Sequence, residues 1–183
     1  LIISTGARAF VPEVYKTNLK NVFTLRTLED GFAIKQAILQ SKKAVILGGG
    51  YIGIEMLEAF VRQNLQTTLI HSRENIMSIF DSDMSKAIQK HVIQRDLESI
   101  RIIDNDSIAE LQGNDVVKSV LTKNGVKIET DMVLLSIGVT PNVELAKSAG
   151  IILGETGAIK VNSKMETNLQ DIYACGDCVE KYN

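Results

Sequence analysis

The sequence predicts an α/β fold: a parallel sheet covered by helices, with a small antiparallel meander let into it. Three observations carry that prediction. Continuous apolar runs such as Ala44 to Leu47 and Met132 to Leu135 read as strands buried on both faces, as in a parallel sheet. Segments with helical periodicity stand between such runs, which is the alternation of βαβ units. After the strand around Arg101-Ile102-Ile103 the period changes to two, and Gly113-Asn114 and Asn124-Gly125 supply turns between short alternating runs.

Each element has its own signal. Leu1-Ile2-Ile3 is a short strand ending at Ser4-Thr5-Gly6, followed by a loop with Pro12. Thr27-Leu28-Glu29-Asp30 reads as a helix start, Thr27 capping it and the acids filling its first turn, with Ala33, Ile34, Ala37 and Ile38 on one face. The run Ala44 to Leu47 leads into a second helix with Ile54, Leu57 and Val61 on a stripe and Asn64 near its end. Thr67 to Ile70 is the next strand. Asp81-Ser82-Asp83 opens a third helix whose apolar side is expected to hold Met84, Ala87, Ile88 and Val92. The meander uses Val116 to Leu121 and Val126 to Ile128, and Met132 to Leu135 returns to the buried sheet. Gly138 and Pro141-Asn142 break the chain, and β-like runs at Ala158 to Val161 and Ile172 to Ala174 follow.

Composition narrows the function classes. The chain has 183 residues, 45% of them hydrophobic and 23% charged, with a net charge of −2, which is ordinary globular composition with a sizeable core. Mixed charge gives no electrostatic case for nucleic acid or a membrane surface. No apolar run approaches the ~20 residues that span a bilayer. No secretory signal is visible and a cytoplasmic protein is expected, although the chain opens on Leu1 rather than Met, so its true N-terminus is expected to lie elsewhere. Cys175-Gly-Asp-Cys178 has the spacing of a redox or zinc pair, but there is no second pair, and His71 and His91 are far away in sequence. A buried thiol beside a loop thiol is the expected outcome, with no metal site.

The chemistry concentrates where the run Ala44 to Leu47 meets Gly48-x-Gly50-x-x-Gly53. A strand, this spacing and a helix in immediate succession form a Rossmann-like dinucleotide-binding unit. Gly48 permits the tight turn, Gly50 lets backbone approach a pyrophosphate, and Gly53 lets the helix pack closely. The helix start offers unpaired N–H groups and a positive dipole end. An NAD-binding unit usually carries an acid ~20 residues later for the ribose 2′-hydroxyl. This chain has His71-Ser72-Arg73 instead, with no acid from Ala59 to Arg73. Arg73 could pair with a 2′-phosphate, which leans the expectation from NAD towards NADP. The alternative is a solvated Arg73, beside Glu74, in a site that takes either cofactor.

Five ordered blocks then carry a family resemblance: Leu1 to Ala7, Gly48 to Glu55, Asp81 to Met84, Gly138-Val139-Thr140-Pro141-Asn142, and Thr167 through Ile172-Tyr173-Ala174-Cys175-Gly176-Asp177. Together they resemble the central part of an FAD-dependent pyridine nucleotide–disulfide oxidoreductase, in the branch of NADH oxidases, NADH peroxidases and coenzyme A–disulfide reductases. The resemblance implies a Rossmann-like NAD(P)-binding domain with a three-stranded antiparallel meander over residues 21–147. Pieces of the FAD domain, 1–20 and 148–183, would flank it. It implies that Gly48, Gly50, Gly53 and the Ile52 amide receive the pyrophosphate and that Tyr51 covers the flavin until nicotinamide displaces it. Simple packing is the alternative for Tyr51. Glu55 would contact the nicotinamide end or merely stabilise the first helical turn. Phe80 would line the adenosine pocket or pack there. Gly138 would let backbone approach the nicotinamide, and Asp177 would bind the ribityl or phosphate region of FAD.

The family's FAD fingerprint, redox-active cysteine and interface domain are not in these 183 residues, and Cys178 does not match the catalytic cysteine. No residue of this chain is therefore expected to be catalytic. The implied function is the NAD(P)H-binding portion of an enzyme passing hydride from NAD(P)H to FAD and on to a disulfide, peroxide or oxygen. This portion would be inactive alone, and a homodimer is expected only of the full-length protein. A ferredoxin or rubredoxin reductase relative without a catalytic cysteine, and a non-catalytic nucleotide-binding module, are the alternatives.

Overall fold

The computed structural model describes residues 1–96 and 98–180. In chain order the elements begin with β1 (Ile2–Ile3), β2 (Ala7–Ala9), a 3-10 turn (Glu13–Tyr15), β3 (Val22–Phe23), α1 (Leu28–Ile38), β4 (Lys43–Leu47), α2 (Tyr51–Arg62) and β5 (Gln66–Ile70). They continue with α3 (Ser82–Arg95), β6 (Ile100–Ile103), β7 (Ile108–Gly113), β8 (Val117–Thr122), β9 (Lys127–Glu129) and β10 (Met132–Leu135). The last are β11 (Val139–Pro141), α4 (Glu144–Ser148), β12 (Ile159–Lys160), β13 (Tyr173–Ala174) and β14 (Val179–Glu180).

Two compact units result, one of Ala9–Gly138 and one of Leu1–Arg8 with Val139–Asn183. These limits differ from those expected from the sequence, 20/21 and 147/148, and two buried side chains are in keeping with the difference. Tyr15 is buried with Val45, Leu47, Ile108 and Val133, and its hydroxyl donates to the Ile108 carbonyl at 2.8 Å. That ties the loop before residue 20 to the larger unit. Ala146 of α4 is buried with Ile3, Ile151 and Ile159 in the smaller one.

The larger unit holds a five-stranded parallel sheet in the order β3-β10-β4-β5-β6. Val45, Ile46, Leu69 and Ile70 are wholly buried, as expected of strands covered on both faces. The antiparallel meander β7-β8-β9 stands between β6 and β10 in the chain. Helix α1 begins with a reciprocal cap: the Asp30 amide donates to the Thr27 hydroxyl, and the Thr27 amide donates back to the Asp30 carboxylate. Helix α2 buries Gly53, Leu57 and Phe60, and the chain leaves it through Asn64 at φ 62°.

Helix α3 departs from the expected face. Met84 and Ala87 are exposed, while Ser85 is buried and Ile88 and Val92 pack on the core. The rotation has a polar cause. The Ser85 hydroxyl donates to the Met77 carbonyl at 3.0 Å, and Gln89 donates to both oxygens of Asp104 at 3.0 Å. Inward polar residues at 85 and 89 make the apolar stripe narrower than its sequence pattern.

In the smaller unit β1 pairs in parallel with β13, and β12 with β14. Strands β2 and β11 pair with each other.

Candidate functional site

β4 ends at Leu47 and α2 begins at Tyr51, so Gly48-Gly49-Gly50 makes up the whole connection. It lies at the carboxyl end of β4, between β10 and β5. From β4 the chain runs outward through β5 and β6 on one side and, after the meander, returns to β10 on the other. That is the switch point at which open parallel sheets bind ligands.

The glycines are required for different reasons. Gly48 has φ +118°, and a Cβ there would stand 2.2 Å from the Ser136 carbonyl oxygen. At Gly53 a Cβ would come within 1.9 Å of the Gly48 carbonyl oxygen, so this residue sets how closely α2 approaches the turn. Gly50 is unlike both. Its backbone is extended, φ −87° and ψ −168°, and a Cβ would meet nothing within 4 Å. Neither strain nor internal packing demands glycine there. Gly50 also caps α2 without any side-chain hydrogen bond, so no capping side chain takes the amides of the first turn. An open backbone face beside an uncapped helix start fits a pyrophosphate.

The back of the turn is fixed. The Gly48 amide donates to the Ile70 carbonyl at 2.8 Å, and the Met77 amide donates to the Gly49 carbonyl at 2.7 Å. The Ser136 hydroxyl donates to the Leu47 carbonyl at 3.0 Å. A Cβ on Gly49 would lie 3.1 Å from Ile76 Cγ2 and 3.2 Å from His71 Cγ.

Around the front, the rings of Tyr51 and Phe80 stand edge to face, centroids 6.3 Å apart, and both are exposed. Ile52 is exposed at the helix start. Glu55 is exposed too, but α2 starts at Tyr51 and has no acid in its first turn. The expectation that Glu55 stabilises the first turn is therefore corrected: it lies one turn further on.

The strand end after β5 separates the three residues singled out there. His71 is 4% exposed, with Nε2 2.6 Å from Asp104 Oδ1. Ser72 and Arg73 face outward. Among the described residues Arg73 makes no ion pair, and Glu74 pairs with Lys86 at 3.5 Å. Gly138 is exposed at φ +124°, and its carbonyl accepts from the Phe10 amide at 2.9 Å.

The sequence profile of the pyridine nucleotide-disulphide oxidoreductases matches residues 1–183. The chain belongs to that family. An NAD(P)H sulfur oxidoreductase (CoA-dependent) of Pyrococcus abyssi is 37% identical over 183 residues, covering 98% of this chain and 40% of the relative. An NADH oxidase of Methanocaldococcus jannaschii is 37% identical with the same coverage. The crystal structure of reduced CoADR-RHD from Bacillus anthracis superposes with a TM-score of 0.89 at 35% identity, covering 97% of this chain and 32% of that one. The chain thus spans about 40% of the length of the curated relatives it matches.

The remaining blocks of this family member lie in the smaller unit. Thr5 donates to the Asn142 carbonyl at 2.5 Å, the Asn142 side chain donates to the Thr5 carbonyl at 3.0 Å, and its backbone amide donates to Gly6. Two sequence-distant blocks are therefore stitched together. Arg8 donates to Asn142 at 2.8 Å and pairs with Glu144 at 2.9 Å. Asp177 is exposed on the turn between Cys175 and Cys178. Both cysteines are free; Cys178 is buried with its thiol 3.2 Å from the Cys175 carbonyl. Among the described residues no three His, Cys, Asp or Glu side chains form a metal-sized cluster, and no helix is long and apolar enough to cross a membrane.

Gly49, Ile76, Gln89, Asp104 and Ser136 belong to the site and were not singled out in the sequence. Asp104 carried a signal, an acid at a strand end. Ser136 carried none, because only the folded register brings it to the turn.

Proposed function

We propose that this chain is the nicotinamide-dinucleotide-binding portion of a flavin-dependent oxidoreductase. The observation that carries the reading is Gly50, a glycine that neither strain nor packing inside the protein requires, at a helix start without a side-chain cap on the switch point of the sheet. Membership of the family supports it. NAD(P)H supplies hydride when bound, and FAD accepts it.

In this reading the chain's own part is placement. Gly48, Gly50, Gly53 and the Ile52 amide hold the pyrophosphate. Ser72 and Arg73 face the adenosine ribose, and Arg73 favours a 2′-phosphate, so NADP is accepted at least as well as NAD. Phe80 and Tyr51 line the cleft from adenosine towards nicotinamide, and Glu55 and Gly138 border the nicotinamide end. In the smaller unit Thr5-Gly6 and Asp177 serve FAD, which assigns that unit to the flavin domain and Ala9–Gly138 to the nucleotide domain. The electrons leave to a disulfide, peroxide or oxygen in the full-length protein, which we propose is a homodimer. Two free thiols suit a reducing, cytoplasmic setting.

The test is titration of NADH and NADPH into the purified 183-residue chain, with a diaphorase assay and gel filtration after incubation with FAD. Saturable binding of at least one nucleotide, no turnover and no retained flavin are expected. Absence of binding overturns the assignment. Turnover, or yellow protein after filtration, overturns the division of labour between this portion and the rest of the enzyme.

A further inference from the structure

The three glycines of the turn differ in what stands behind them: Gly48 meets Ser136, Gly50 meets nothing within 4 Å, and Gly49 is backed by two side chains, one of them titratable. His71 and Ile76 lie against it, close enough that a Cβ would touch both at 3.1 to 3.3 Å. These two side chains are themselves fixed by one polar chain. His71 Nε2 lies 2.6 Å from Asp104 Oδ1. Asp104 takes two hydrogen bonds at 3.0 Å from the Gln89 amide group of α3. Gln89 Oε1 in turn accepts from the Ile76 amide at 3.0 Å. The circuit closes on the turn, because the Met77 amide, one residue on, donates to the Gly49 carbonyl at 2.7 Å. Its donors and acceptors come from several elements: the ends of β5 and β6, the middle of α3, and the loop after β5. It therefore fixes the orientation of the Gly49 peptide against all of them.

We propose that His71 is a positioning residue for dinucleotide binding: its ring, oriented by Asp104 and Gln89, forms the rear wall that presents the Gly49–Gly50 backbone to the pyrophosphate. This rests on the assignment of the glycine turn as the nucleotide site and adds a residue that does not touch the ligand. Its side chain is almost wholly buried, so it acts through the peptide it braces. The pyrophosphate is common to NADH and NADPH, so loosening the wall weakens both equally. Arg73 faces outward and distinguishes them. A buried imidazole held by a carboxylate has one ring orientation, and a preorganised turn loses less freedom on binding.

The experiment uses the 183-residue chain with the variants Asp104→Ala, Asp104→Asn and His71→Phe. NADH and NADPH are titrated into each, thermal melting is recorded, and the Gly49 and Gly50 amides are followed by NMR without nucleotide. Asp104→Ala is expected to weaken both nucleotides by the same factor, about five- to twentyfold, the scale of one charge-assisted hydrogen bond. The Gly49 and Gly50 amides should shift while Gly113 and Gly125 of the meander stay in place. Asp104→Asn still offers His71 an acceptor and should recover affinity to within about threefold. His71→Phe fills the space without the hydrogen bond and should match Asp104→Ala. Should Asp104→Ala not fold, His71→Phe carries the test alone. Wild-type affinity in His71→Phe, or unmoved Gly49 and Gly50 amides in the loosened variants, overturns the inference. A wild-type chain that binds neither nucleotide overturns the site assignment instead.

Discussion

Gly50→Ala separates a ligand-facing glycine from a structural one, and the sizes of the competing effects follow from the turn. The added methyl meets no protein atom within 4 Å, and φ −87° with ψ −168° is open to alanine. Replacing glycine lowers the entropy of the unfolded chain, which stabilises by about 0.4–1 kcal/mol. Gly50 is also the cap residue of α2, and alanine caps less well by up to about 1 kcal/mol. The two effects nearly cancel, so the melting temperature should move by no more than about 2 °C. The methyl projects from the face left for the pyrophosphate. Forcing it against a close-fitting ligand costs about 1–3 kcal/mol, roughly five- to 150-fold in Kd for NADH and NADPH alike. Gly53→Ala is the control of opposite kind. Its methyl would lie 1.9 Å from a backbone oxygen, so the turn or the helix must shift. That costs about 1–3 kcal/mol of stability, a fall of roughly 2–12 °C for a chain of this length. Melting by circular dichroism and titration by NAD(P)H fluorescence read both quantities. The reasoning fails if Gly50→Ala binds like the wild type, or if it melts as low as Gly53→Ala.

Three further outcomes are expected. Arg73→Ala should weaken NADPH by about 1–2 kcal/mol, roughly five- to thirtyfold, and leave NADH nearly unchanged; equal weakening of both in the titrations would count against an outward Arg73 reading the 2′-phosphate. His71→Asp should lower stability by at least about 2 kcal/mol without creating an NADH preference, because the new carboxylate is buried beside Asp104; a stable variant with tighter NADH binding would show that residue 71 reaches the ribose. Burial pushes the Asp106 carboxyl up, but the Thr122 hydroxyl and the amides of Ser107, Asn124 and Lys123 outweigh it and hold the group below its ordinary value. A lowered folded pKa means stability that is present above the unfolded value and lost as pH falls through the folded one, so Asp106→Asn should flatten the decline in melting temperature below pH ~4, and an unchanged acid limb would refute this.

What the sequence made legible was whatever short-range chemistry decides. The capping box at Thr27, the buried run Ala44 to Leu47 of β4, the hairpin turns of the meander and the Gly48–Gly53 spacing are written in adjacent residues, and the fold carries all of them. Some strands of two or three residues were not legible. β3, β11 and β14 are too short to show a period, and they exist because a partner strand supplies their hydrogen bonds. The face of α3 was misread for a related reason. Met84 and Ala87 continue an apolar stripe, yet Ser85 and Gln89 outrank them because each finds a specific acceptor from another element. Periodicity weighs side chains one by one and cannot see the partner.

The strand end after β5 shows the same limit at the site itself. Reading His71-Ser72-Arg73 as a group treats the residues as equivalent candidates for the ribose, but a strand end has a direction. Leu69, Ile70 and His71 are buried in succession because β5 runs between neighbours on both sides and its end is still enclosed by β6 and the glycine turn. Only at Ser72 does the chain emerge. Asp104, thirty-three residues away, claims the imidazole of residue 71 and leaves the guanidinium of residue 73 outside. The histidine and the aspartate form one choice. With an acid at 104, a buried acid at 71 would set two carboxylates side by side. On the function proposed above, recognition of the adenosine end then passes two residues along the chain, to a side chain that carries positive rather than negative charge.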